Sequence, residues 1–132
     1  MTSYHQALTA FWSKFTSGGN AVTAYLSGHV PDNAPFPYIT FDVAKPDAMG
    51  AIPLTAFNWH QAESGKNVNA ERAALLDQIA DAIPVQGVRL PFAGGFAVLD
   101  RNQANFQSYY DDPEDPAIVG GRTSYIVRFF GL

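Results

Sequence analysis

The chain has 132 residues, 47% hydrophobic, 14% aromatic and only 15% charged, with a formal net charge of −4. That length suits one domain able to bury a core without a staple, and eight Lys plus Arg argue against a nucleic-acid binder built on a basic patch. The absence of cysteine excludes disulfides and thiolate metal sites.

Soluble chains usually carry about a quarter of their residues as charges, so this surface is poor in charge. Ten Phe and six Tyr need either a large core or subunit contacts to cover them. The opening Met1-Thr2-Ser3-Tyr4-His5 has neither the basic nor the apolar region of a signal peptide. No apolar run approaches the roughly 20 residues of a membrane span. The expectation is a protein made and kept in solution.

Residues 3–16 read as a helix. Tyr4, Leu8, Phe11, Trp12 and Phe15 recur on one stripe of a 3.6-residue period, Thr2 or Ser3 is placed to cap it, and Ser17-Gly18-Gly19-Asn20 is placed to end it. Residues 21–30 fit a brief helix or turn followed by an extended piece. Val30-Pro31-Asp32-Asn33-Ala34-Pro35-Phe36-Pro37 then forms a stiff, extended loop, because each proline fixes its own φ and restricts its predecessor. It delivers Phe36 and Tyr38 to a strand over 38–44, with Tyr38, Thr40 and Asp42 on one face and Ile39, Phe41 and Val43 on the other.

Residues 51–63 read as a second strand. Ile52, Leu54 and Ala56 alternate, and the apolar set then shifts to Phe57 and Trp59, which predicts a bulge or bend near Ala56-Phe57. Pro53 places this part at an edge or a strand start. Ser64-Gly65-Lys66-Asn67 turns into a helix over 68–83, capped by Asn67, with Glu71 in its early turns and Val68, Arg72, Leu75, Leu76, Ile79 and Ile83 as its buried stripe. Pro84 stops it. Residues 86–100 read as a hairpin turning at Gly94-Gly95, and a further strand covers about 103–110. Asp111-Asp112-Pro113-Glu114-Asp115-Pro116 forms an acidic loop, and Gly120-Gly121 leads to a last strand over 122–130. There Thr123, Tyr125, Val127 and Phe129 take one face, and Arg122, Ser124, Ile126, Arg128 and Phe130 the other. The fold class is α+β: a mostly antiparallel sheet of four to five strands with two helices on one face, forming a single domain over 1–132.

No catalytic constellation emerges from these residues. His5, His29 and His60 lack the short spacing of metal ligands. Ser17-Gly18-Gly19 lacks the strand and helix of a nucleophile elbow. Ala93-Gly94-Gly95 and Val119-Gly120-Gly121-Arg122 read as turns rather than as phosphate cradles, since neither opens a helix. The acidic loop departs from EF-hand spacing. It reads as a solvated loop or as a charge partner for Arg122, Arg128 or Arg101 of a neighbouring subunit.

The run Val30-Pro31 through Phe41, the Trp59 strand, the Ala70-to-Ile83 helix and the closing Tyr125-Ile126-Val127-Arg128-Phe129 strand resemble, in order and in length, the tail-completion (tail terminator) proteins of long-tailed bacteriophages. The longer acidic loop and the Gly/Pro-rich 84–95 segment depart from that pattern. The resemblance implies a structural virion protein of the siphophage head-to-tail joining family, assembled in the host cytoplasm. Its copies would form a ring, hexameric in the family, that caps the tail tube, stops its polymerisation and offers the surface joining the filled head. The implied partners are the chain itself, the tail tube protein and a head–tail connector or stopper protein. DNA would pass through the lumen without specific binding, and no membrane, cofactor, metal or catalytic residue is implied. The residues expected at subunit or partner contacts are Pro35, Phe36, Pro37, Asp111, Asp112, Glu114, Asp115, Arg122 and Arg128. The alternatives are another head–tail connector or minor tail component, and a small ligand-binding domain or enzyme, which would need convergent polar groups in a pocket.

Overall fold

Ser3 starts the first helix as its sequence dictates. In the computed structural model, which describes residues 2–47 and 50–132, the Ser3 hydroxyl accepts from the Gln6 N–H at 3.1 Å and the Gln6 side chain accepts from the Ser3 N–H at 3.0 Å. This reciprocal box satisfies two amides that a helix start otherwise leaves open. Helix α1 runs over Tyr4–Trp12 and buries Tyr4, Leu8, Phe11 and Trp12. It stops short of the expected residue 16, although Phe15 stays buried. The reason is Gly18-Gly19: both have positive φ, 59° and 83°, the geometry of a two-residue hairpin turn. They join strand β1 (Thr16–Ser17) to β2 (Asn20–Ala21) instead of ending a helix. The Gln78 side chain bonds both the N–H and the C=O of Thr16, at 3.2 and 2.6 Å, and docks the hairpin on the second helix.

Residues 21–30 invert the expected order. The extended piece comes first, as β3 (Thr23–Leu26), and the turn at Ser27-Gly28 follows. β4 (Tyr38–Phe41) is shorter than expected and lies parallel to β3. β5 (Ala51–Gln61) pairs antiparallel with β4 over Ala56–Trp59 only. Pro53 therefore stands beyond the end of β4, on a locally open edge, where a missing N–H costs no ladder bond.

Asn67 caps helix α2 (Val68–Ala82), accepting from the Ala70 N–H at 3.1 Å. Of the predicted stripe, Leu75, Leu76, Ile79 and the following Ile83 are buried, and Val68 and Arg72 are half-buried. The hairpin of β6 (Val88–Phe92) and β7 (Gly95–Arg101) turns at Ala93-Gly94. β8 (Gln107–Asp111) and the long β9 (Ile118–Phe130) complete the sheet. β9 begins four residues before the expected start, so Gly120 and Gly121 lie inside a strand rather than in a turn. A Cβ at Gly120 would sit 2.5 Å from the Asn58 carbonyl oxygen; one at Gly121 would sit 2.6 Å from Asn58 Oδ1 and 2.7 Å from Leu76. The glycine pair is there because β5 and α2 approach too closely for side chains.

The main sheet has seven strands in the order β3-β4-β5-β9-β7-β6, with β8 pairing β9 beside β7, and every pairing except β3–β4 is antiparallel. Seven exceeds the expected four to five, partly because residues 23–26 add an edge strand. Both helices pack on one face. Leu8, Trp12, Leu75 and Ile79 share one buried cluster with Ile39, Phe41, Ala97, Leu99, Tyr125 and Val127. Ridding this face of water is the main favourable term in the fold.

The expected bulge near Ala56-Phe57 is absent. The β5–β9 register runs unbroken from Ala51↔Arg128 to Gln61↔Ile118. The apolar pattern shifts while the backbone does not: Ile52, Leu54, Ala56, Asn58 and His60 all face the helices, and Phe57 and Trp59 face the other way.

Candidate functional site

Two features follow from that shift. One is a polar network under α2; the other is an aromatic surface on the helix-free side of the sheet.

The network lies inside the core. His60 is fully buried; its Nδ1 is 2.7 Å from Glu71 Oε1 and its Nε2 is 2.9 Å from Asn58 Nδ2. Lys66 reaches the other Glu71 oxygen at 3.4 Å. Burial lowers the His60 pKa, against the opposing bond and charge of Glu71. In the neutral ring this gives an Nδ1–H that donates to Glu71 and an Nε2 that accepts from the Asn58 amide. Among the described residues Asn58 Oδ1 has no hydrogen-bond partner. Glu71 lines two clefts that flank the β1–β2 hairpin, but the imidazole itself has no exposed surface to offer a ligand. The sequence reading missed this pairing. Its signal was the even-numbered alternation of β5, which carries Asn58 and His60 onto the buried face.

On the other side, the sheet register sets aromatic side chains in rows. Thr23, Tyr38, Trp59, Gly120 and Tyr110 lie opposite one another across β3, β4, β5, β9 and β8, and Tyr25, Thr40, Phe57, Arg122 and Ser108 form the adjacent row. Phe57 and Trp59 stack at 5.3 Å, and Tyr110 meets each edge-on or nearly so at 5.4 Å. Tyr38 lies 5.8 Å from Tyr25 and 5.0 Å from Phe36. The Trp59 indole donates to Thr40 Oγ1 at 3.1 Å. Further along the same face, Phe96 stacks on Phe130 at 5.2 Å, and the Arg89 guanidinium lies 3.9 Å over Phe96.

The residues expected at contacts fall in several settings. Phe36 packs on Tyr38, and with Pro35 and Pro37 it lines a cleft of about 400 Å³ that also holds Lys66 and Glu71. Arg122 lies on the open face, half-buried, with no hydrogen bond or ion pair among the described residues. Arg128, on the same face, pairs with Asp100 at 2.5 Å. Asp111 is held by Arg72 at 2.8 Å. Asp112 Oδ1 accepts from the Glu114 N–H at 2.8 Å, and Asp115 Oδ1 from the Ala117 N–H at 3.0 Å, so the acidic loop is braced by its own carboxylates. Burial raises the Tyr38 phenol, with smaller contributions from Tyr25 and Asp112; the loop follows directly on Tyr110 at the end of β8, beside the aromatic face.

Arg101 does not join them. Its guanidinium bonds Ile83 O at 2.6 Å and Ala80 O at 2.9 Å and covers Phe106. It caps the carbonyl end of α2 and is unavailable to a neighbour's acidic loop. Among the described residues no group of three or more His, Asp or Glu is placed to hold a metal ion, and no helix is long and apolar enough to cross a membrane. Comparisons with protein-family models, curated proteins and solved structures give no match to this chain.

Proposed function

We propose that this chain is a structural tail-completion protein of a long-tailed phage: its copies form a ring that caps the tail tube, ends tube polymerisation and presents the surface to which the filled head joins. The ring is hexameric in the resembling family, and the partners on this reading are the tube protein on one side and a connector or stopper protein on the other.

The observation that carries the reading is the helix-free face of the sheet. Tyr25, Tyr38, Phe57 and Trp59 are only half-buried there although no helix covers them, Tyr110 is exposed, and Arg122 stands unpaired among the described residues in their midst. Small monomers rarely leave such a contiguous apolar patch open, and aromatic residues with Arg are what protein contacts select. The acidic loop at the rim adds charge that discourages adhesion of DNA in transit, by like-charge repulsion.

Tube length tests the proposal. Purified protein added to a polymerising tail tube protein should cap growing ends, shorten the tubes in a dose-dependent way and appear as end density in negative-stain images. Tubes whose length is unaffected, with no protein at their ends, would refute it.

A further inference from the structure

The open edges of this sheet are of two kinds. In an antiparallel ladder, alternate residues turn their N–H and C=O toward one neighbour or the other. The Ala62 N–H to Ala117 O bond sets the phase of β5: its even residues face β9 and its odd residues, Pro53 included, face the β4 side, where the ladder ends at Phe41↔Ala56. The same phase, carried through β9 and β7, turns Pro91 of β6 outward. Each of these edges therefore carries a proline where an N–H would project, a device that discourages strand pairing.

The β3 and β8 edges carry no proline. Bonds from Asp112 N–H to Ile118 O and from Ser124 N–H to Phe106 O turn the even β8 residues toward β9, so Gln107, Tyr109 and Asp111 project their backbone groups outward. On β3, Ser27 N–H bonds Phe41 O of β4 while Val22 N–H bonds Phe15 O on the opposite side. Ala24 and Leu26 therefore project their backbone groups outward, and among the described residues only Leu26 O of these is taken, by the His29 N–H.

The two edges are matched. They lie at the same height on opposite sides of the sheet, since Thr23 and Tyr110 end one row and Tyr25 and Ser108 end the next. Their directions are opposed, so two copies in the same orientation, side by side, present β8 to β3 in the antiparallel sense. At equal height the outward-facing residues meet each other: Tyr109 faces Ala24 and Gln107 faces Leu26.

We propose that the free edge of β8 in one copy pairs antiparallel with the free edge of β3 in the next; this rests on the ring reading above and supplies the contact that closes it. The pairing is heterologous, the kind that generates rings. Tyr109–Ala24 is the full hydrogen-bonded pair, Gln107–Leu26 bonds through the free Leu26 N–H because His29 holds the Leu26 carbonyl, and Ser108–Tyr25 and Tyr110–Thr23 are the closer non-bonded pairs. The Ala24 and Leu26 side chains are half-buried against the core of their own copy, and their edge would cover a groove of about 270 Å³ on the helix side of β8, lined by Ala73, Leu76, Asp77 and Tyr109 among others. On the open face, the aromatic row continues from Tyr110 into the next copy's Tyr25.

The absence of cysteine makes disulfide trapping a clean test. The double variant Ser108→Cys with Tyr25→Cys, oxidised, should give a ladder of covalent multimers up to the ring, collapsing to monomer on reduction. An equal mixture of the two single variants should stop at dimer, and each single variant alone should stay monomeric. Dimers from Ser108→Cys alone would overturn the pairing in favour of a twofold β8–β8 contact. Rings seen by negative stain without cross-links would overturn the pairing and leave the ring reading standing; loss of both rings and tube capping would overturn both. A second variant covers a misfolded cysteine pair. Ala24→Pro removes an outward N–H, as Pro53 and Pro91 lack one, and adds a ring at a half-buried position; with the circular dichroism of the parent kept, it should lose assembly. Assembly that survives Ala24→Pro would also overturn the pairing.

Discussion

Replacing Gly121 by Ala tests whether β9 carries its glycines for close approach. In an ordinary strand, Gly to Ala gains roughly 0.5–1 kcal/mol. Here the new methyl would lie 2.6 Å from Asn58 Oδ1 and 2.7 Å from both Leu76 methyls, against an ordinary carbon contact of about 3.5–4 Å. Leu76 and Asn58 must give way by about 1 Å, and overpacking of that kind costs about 1–3 kcal/mol. The sign is thus reversed. A cost of about 2 kcal/mol lowers Tm by roughly 6–10 °C in a chain of this size. Gly120→Ala should cost more, because its methyl would meet the Asn58 backbone oxygen at 2.5 Å, and backbone yields less than a side-chain tip. Urea and thermal unfolding followed by circular dichroism measure both. A neutral or stabilising Gly121→Ala would refute the argument that α2 and β5 are packed too tightly for a side chain there.

Three further predictions concern the polar network, the cap and the open face. The folded state holds the His60 pKa below its ordinary value, so the unfolded chain binds that proton more readily. The His60 contribution is therefore present above about pH 6.5 and lost as pH falls through the folded value; the urea midpoint should drop between pH 7 and 5, and His60→Gln should flatten the drop. A midpoint of the parent protein that rises on acidification would contradict this. Arg101→Met removes the bonds to Ala80 O and Ile83 O and should cost about 1–3 kcal/mol, with faster amide exchange confined first to the last turn of α2; unchanged stability would contradict the cap assignment. Phe57→Ser with Trp59→Ser should leave a folded protein that no longer shortens tubes, and retained capping would detach the open face from assembly.

Much of the fold was legible because its signals are local. The Ser3 and Asn67 caps, the 3.6-residue stripes of α1 and α2, the break at Pro84 and the two faces of β9 all follow from residues within a few positions of one another. The misreadings arose where a residue answers to a distant partner. Gly18-Gly19 suits either a helix end or a two-residue turn, and the choice falls to the turn because Gln78, far along the chain, holds Thr16 in the hairpin. Gly120 and Gly121 read as a turn until Asn58 and Leu76 are seen against them. The shift at Ala56-Phe57 read as a bulge because apolar residues were assumed to mark one face. In the structure His60 finds Glu71 and Asn58 inside the core, and Phe57 and Trp59 stay outside. Of the candidate contact residues, Arg122 and Arg128 were placed on their face by alternation alone, whereas Arg101 was drawn inward by carbonyls of α2 that its own strand does not announce.

Size-exclusion chromatography with light scattering, and negative-stain images of the same fractions, test the central claim most directly. The account predicts a closed ring, either free in solution or formed when the protein meets tail tubes. A strict monomer at all concentrations that joins neither tubes nor heads would contradict it.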